Sequence, residues 1–148
     1  MGQGEAGERV RIGMEELGVP AGAPLADAAL RLLQQQRSVW EMLRAGYDSL
    51  KRVQTRQFRF GGYQVRVQFN PGRLTSSAAR VDDRSIRERK CFLCLQNLPE
   101  HQRGIPYGER FMILCNPFPI FPEHFTIPRV DHVPQLIDGE IGTLLALA

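Results

Sequence analysis

The stretch NPFPIFPEHFTIPRVDH, Asn116 to His132, decides how the chain is read. Its first seven residues hold Pro117, Pro119 and Pro122. Proline fixes φ, lacks an N–H and restricts the residue before it, so PFPIFP cannot be helix. FMILCN (Phe111–Asn116) is apolar almost throughout and reads as a short buried strand. HFTIP (His124–Pro128) reads as a second strand. The expectation is two strands joined by a proline-ridden crossing, with Asn116 at one end and His124 at the other.

Upstream lies CFLC. All three cysteines and all three histidines of the chain fall between Cys91 and Gln135. Two thiols two residues apart suit a tight turn that offers both sulfurs to one metal ion, zinc above all. Structural zinc takes four ligands, so others must come from elsewhere. His132 lies past the second strand, and His101 is nearer, in the loop. Two partly buried thiols with no metal are the plainer alternative. Cys115, inside FMILC, reads as an inert buried thiol.

This constellation resembles the first half of a histidine-triad (HIT) nucleotide-binding domain. In that superfamily a strand ending in Asn or Asp crosses a proline-bearing turn to Pro-x-His. It continues as a strand ending in Ile-Pro, and a histidine follows. Here these are Asn116, Pro122-Glu123-His124, Ile127-Pro128 and His132. Glu123 stands where a small residue is frequent, and His132 lies one residue further out than usual. With its Cys91/Cys94 pair the chain is similar to the galactose-1-phosphate uridylyltransferases and ATP adenylyltransferases. FNPGRLTSSAARVD followed by CFLCLQNLPEHQRG resembles an uncharacterised bacterial family related to these and to the GDP-galactose phosphorylases. The resemblance covers Phe58 to the end.

It implies an α+β fold, a HIT-like antiparallel sheet with flanking helices. It implies that Asn116 hydrogen-bonds a ribose, that His124 lines the active site, and that Cys91, Cys94 and His132 hold structural zinc. Asn70, Arg73 and Ser76 would help hold substrate phosphates or sugar. The activity implied is that of a nucleotidyltransferase or nucleotide-sugar phosphorylase, often dimeric. Such enzymes attack the α-phosphate with a histidine from a His-x-His-x-His or His-Pro-His pattern. Here His101, His124 and His132 are isolated, so the nucleophile would lie outside this chain.

The rest is read from pattern. Residues 1–23 are rich in Gly, Ala and Glu and read as a flexible lead-in, loose or with a short helix. From Pro24, the residues Leu25, Ala29, Leu32, Val39, Leu43, Tyr47 and Leu50 recur at helical spacing. Residues 24–56 are therefore a helical segment, one long helix or two parted near Gly46, with Trp40 a packing residue. RQFRFGGYQVRVQFN then alternates about Gly61-Gly62, a hairpin signal. Phe58 and Phe60 are placed on one face, and Tyr63, Val65, Val67 and Phe69 on another. After Pro134, Leu136, Ile137, Ile141, Leu144 and Leu145 resume helical spacing. That run stops at Ala148 without a cap, so residues 57–148 are read as the N-terminal half of the domain, cut inside a helix.

The chain has 148 residues, 43% of them hydrophobic and 24% charged, as in ordinary globular domains. No apolar run could span a membrane, and no signal peptide is visible. The default is cytoplasmic, where thiols stay reduced. Net charge is +3, with arginines crowded between Arg52 and Lys90. They read either as a solvated basic face or as the mark of a phosphate-bearing ligand, small or polymeric. The alternative function is a non-catalytic, zinc-stapled module that docks nucleic acid through the Arg52–Lys90 stretch, with Phe58, Phe60 and Tyr63 to stack bases. The modest charge ranks nucleic acid behind a mononucleotide.

Overall fold

FMILC is the centre of the fold. In the computed structural model, which describes residues 3–73, 82–134 and 139–147, Phe111–Cys115 is a strand buried over its last four residues. We number it β4. It pairs antiparallel with β3 (Gly104–Tyr107) on one side and β5 (Phe125–Thr126) on the other. The proline-rich segment between β4 and β5 contains no helix, as its three prolines require.

Four helices flank these strands or lie nearby: α1 (Gln3–Val10), α2 (Leu25–Val39), α3 (Glu41–Ser49) and α5 (Ile141–Leu147). A short α4 (Asp83–Glu88) precedes the cysteine turn, its N-terminus capped by the Asp82 carboxylate accepting from the Ser85 N–H. β1 (Gln54–Phe60) and β2 (Tyr63–Phe69) form a separate antiparallel hairpin. Helices with small antiparallel sheets make this an α+β protein. No helix among the described residues is long and apolar enough to cross a membrane.

The core has two parts. Leu32, Leu33, Trp40, Leu43 and Tyr47 of the helical segment pack on Ile105, Ile113 and Cys115. Val10, Leu95, Leu98, Met112 and Leu114 form the second cluster on the other side of β4. β4 thus serves both through its two faces.

Three expectations need correction. Residues 3–10 are helical and Val10, Ile12, Leu17 and Val19 are buried, so the N-terminal segment belongs to the body and is not a loose lead-in. The helical segment parts at Trp40, not near Gly46. Trp40 is extended and buried, and it sinks its indole into the core between α2 and α3. Gly46 lies inside α3, where a Cβ would collide with the Pro117 carbonyl. Third, all the hairpin's large apolar residues share one face. Phe58 sits opposite Val65 and Phe60 opposite Tyr63, and directly paired residues point the same way. The helical spacing after Pro134 appears as α5 from Ile141 onward; Leu136 and Ile137 lie outside the described residues.

Candidate functional site

Two clusters bracket the β4–β5 unit. The first is the cysteine turn. The Cys94 N–H bonds to the Cys91 carbonyl at 3.4 Å, and the Asn97 side chain donates to the same carbonyl at 2.8 Å. Leu95 and Leu98 then anchor the turn in the second core cluster, under α1. Arg9 of α1 clamps it from outside. Its guanidinium donates to the carbonyls of Pro99, Glu100, Leu95 and Leu98 at 3.0 to 3.3 Å. Sequence reading overlooked Arg9, because a basic residue in a last helical turn ordinarily looks solvated.

His132 arrives from the other direction. Past β5, the Val130 N–H bonds to the Arg110 carbonyl at 2.8 Å, and Val130 packs on the same cluster as Leu95 and Leu98. Two residues on, His132 Nδ1 lies 3.2 Å from Cys94 Sγ. The donor atoms of Cys91, Cys94 and His132 all lie within 4.8 Å of one another. Ligands of one tetrahedral ion sit about 3.5–3.8 Å apart, so the trio fits a shared metal. Burial, then the adjoining Cys91 sulfur, pushes the Cys94 thiol up. A bound cation reverses that balance and favours thiolate. Cys115 stands apart; burial raises its thiol to about 12, which makes it inert. His101 is exposed and outside the trio.

The second cluster surrounds the proline-rich crossing. The Asn116 N–H bonds to the His124 carbonyl at 3.0 Å and closes the crossing into a loop. Asn116 Oδ1 accepts from the Phe118 N–H at 2.8 Å, and its Nδ2 donates to Thr126 Oγ1 at 3.2 Å. Both ends of the amide therefore brace the loop. A ribose would have to share them.

His124 is held more tightly. Its backbone N–H donates to Tyr47 Oη at 3.1 Å, and the Tyr47 hydroxyl donates to its carbonyl at 3.2 Å. Its Nδ1 accepts from the Ile120 N–H at 3.1 Å. A nitrogen that accepts cannot carry the proton, so neutral His124 holds its hydrogen on Nε2. Burial, and then the positive charge of Arg73, pulls its pKa below the ordinary value near 6.5. Tyr47 read as one more residue of the α3 stripe. Nothing in its spacing announced that its hydroxyl grips a loop 77 residues away.

The foot of the hairpin completes this cluster. Gln68 Nε2 donates to the Ile120 carbonyl at 3.1 Å, and Asn70 Nδ2 to the Pro119 carbonyl at 3.2 Å. Asn70 Oδ1 accepts from the Gly72 N–H at 3.0 Å. Gly72 is pressed on Ser49, where a Cβ would overlap the serine side chain. Asn70 is thus spent on structure. Arg73 ends this turn half-buried, with no hydrogen-bond or carboxylate partner among the described residues. Ser76 lies outside the described residues.

Chemically, the first cluster can hold a metal ion. The second offers a guanidinium with no partner among the described residues and, from the same neighbourhood, a neutral imidazole that donates through Nε2. Those groups suit an anion. A family model described as a domain of unknown function (DUF4922) matches residues 32–148. The chain belongs to this family. No curated protein and no solved structure matches it. Both clusters of this DUF4922 domain lie inside the matched span, whereas α1 and its Arg9 precede it.

Proposed function

We propose that this chain is the nucleotide-binding part of a nucleotidyltransferase or nucleotide-sugar phosphorylase of the histidine-triad type. The observation that carries it is the hydrogen-bonded seam between the foot of the hairpin and the proline loop. Asn70 and Gln68 donate to the Pro119 and Ile120 carbonyls, and the Ile120 N–H holds His124 Nδ1. Arg73 ends the same turn as Asn70, and its positive charge helps to lower the His124 pKa. Arg73 attracts a phosphate group, and His124 donates one hydrogen bond to it from Nε2. Phe121, whose ring centroid is 6.1 Å from that of His124, offers an apolar wall for a base. The motifs Asn116, Pro122-Glu123-His124 and Ile127-Pro128 support the same reading.

The metal in this reading is zinc, since two thiolates and an imidazole match its preference for sulfur and nitrogen. It is structural. It would pin the Cys91–Cys94 turn to the chain end beyond β5 and so hold the β4–β5 loop in register. The chain's own histidines are committed elsewhere or stand alone. The His124 Nδ1 lone pair is taken by the Ile120 N–H and its Nε2 carries the hydrogen, so neither nitrogen is free to attack, and His132 belongs to the thiol cluster. The nucleophilic imidazole therefore comes from outside these residues.

Calorimetric titration with nucleoside monophosphates and nucleotide sugars tests the reading. Binding is expected, with Arg73→Ala weakening it by about tenfold or more, the worth of one charge-assisted contact. Elemental analysis should find one zinc per chain, lost in Cys91→Ser. A zinc-loaded chain that binds none of these nucleotides sinks the nucleotide reading.

A further inference from the structure

The hairpin of β1 and β2 is an arm. It grips the proline loop at its foot through Gln68 and Asn70, and every residue of both strands is exposed. Its register puts Phe58, Phe60, Tyr63, Val65, Val67 and Phe69 on a single face. Their exposures run from 38% to 67%. The rings form a row, with centroids 6.4 Å apart from Phe58 to Phe60 and 5.7 Å from Phe60 to Tyr63. A two-stranded hairpin is marginal by itself in water, and an apolar face of this extent marks a contact surface.

We propose that this face packs against the same face of a second copy of the chain, about a two-fold axis. Area supports it. The six side chains leave roughly 600 Å² uncovered, so two copies would bury about 1,200 Å², the lower bound for a specific pair. Charge supports it as well. Neither strand carries an acidic residue, and Arg56 is the one cation on the face. A two-fold axis running across the strands places each Arg56 over the other copy's aromatic row, where a guanidinium is welcome, and keeps the two arginines apart. Apolar sheets stack face to face in this way, about 10 Å apart.

A single-stranded nucleic acid fits the arm less well. It needs stacking rings and phosphate-binding cations along one groove. Here Arg59 and Arg66 lie on the face opposite Phe58 and Tyr63, which leaves Arg56 alone beside the rings.

Sedimentation equilibrium of the whole chain, with a reductant present so that disulfides do not contribute, tests the proposal. The expected mass is twice 16.8 kDa. The double variant Phe60→Lys/Val67→Lys should weaken the pair by about a hundredfold or more, as expected when central apolar contacts are replaced by charge. Gln64→Lys, on the opposite face, should leave it unchanged. Circular dichroism melts check that the variants remain folded. The proposal is overturned by a monomer at about 100 µM, a concentration at which even a micromolar pair is assembled. A dimer indifferent to the double variant overturns it too. So does a mass that keeps growing with concentration, because a closed two-fold stops at two. Binding of an oligonucleotide by the monomer, lost in the double variant, would assign the face to nucleic acid instead.

Discussion

β4 and the arm are both strands of apolar-rich sequence, yet they lie at opposite ends of burial. Met112, Ile113, Leu114 and Cys115 are at most 4% exposed, while Val67 and Phe69 are more than half exposed. FMILC is apolar on both faces and is covered on both. QTRQFRF and YQVRVQF are apolar on one face only, and among the described residues that face is uncovered. Alternation tells which side of a strand avoids water. It does not tell what, or whose, surface will cover it.

The sharpest way to break this contrast is to cut both regions equally. Met112→Ala, in the second core cluster, should cost about 2–5 kcal/mol in chemical denaturation, because a buried cavity remains. Val67→Ala on the arm should move the monomer's stability by no more than about 0.5 kcal/mol. Equal losses would mean that the arm is covered within one chain.

Gly46→Ala comes next. The added methyl meets the Pro117 carbonyl and the Pro119 ring, so α3 and the proline loop must separate. A loss of about 1–3 kcal/mol is expected from overpacking, readable as a lower melting temperature. Nucleotide affinity should fall with it, because Tyr47 then loosens its hold on His124.

The smallest effect is with pH. Folding lowers the pKa of His124, so below about 6.5 the unfolded chain takes up that proton first. This contribution penalises the fold as pH falls through the ordinary histidine range, and it vanishes above that range. Melts between pH 7 and 5 should show a decline that His124→Gln flattens. An unchanged slope in that variant would place the titration elsewhere.

How much was legible depended on how local the cause was. β4, the Gly61-Gly62 turn, the buried Cys115 and the Cys91/Cys94 pair followed from spacing or residue type, whereas His132 as their companion rather than His101 was what the resemblance implied. β3 did not follow from spacing or residue type. Gly104-Ile-Pro-Tyr107 breaks strand propensity twice, and it pairs because Gly104 tolerates Met112 and Leu114 at close range. The break at Trp40 carries no glycine or proline, and tertiary burial of the indole drives it. Gln36 is buried within the α2 stripe, where its amide bonds the Arg103 N–H and the His101 carbonyl. The hairpin's face was misjudged because strand positions were counted along the chain rather than across the turn. At the anion cluster, Arg73 and His124 were visible as residue types. That Asn70 and Asn116 are braces showed only once their hydrogen-bond partners were placed.

The four carbonyls gripped by Arg9 lie 86 to 91 residues further along the chain. During synthesis, then, α1 is made long before the residues that seat it. It must wait, with Val10 uncovered, until Leu95 and Leu98 have left the ribosome. Contacts that close so long a loop form slowly, and apolar side chains left waiting in water invite holding by chaperones. The second core cluster sets the timing of this protein's birth as well as its stability.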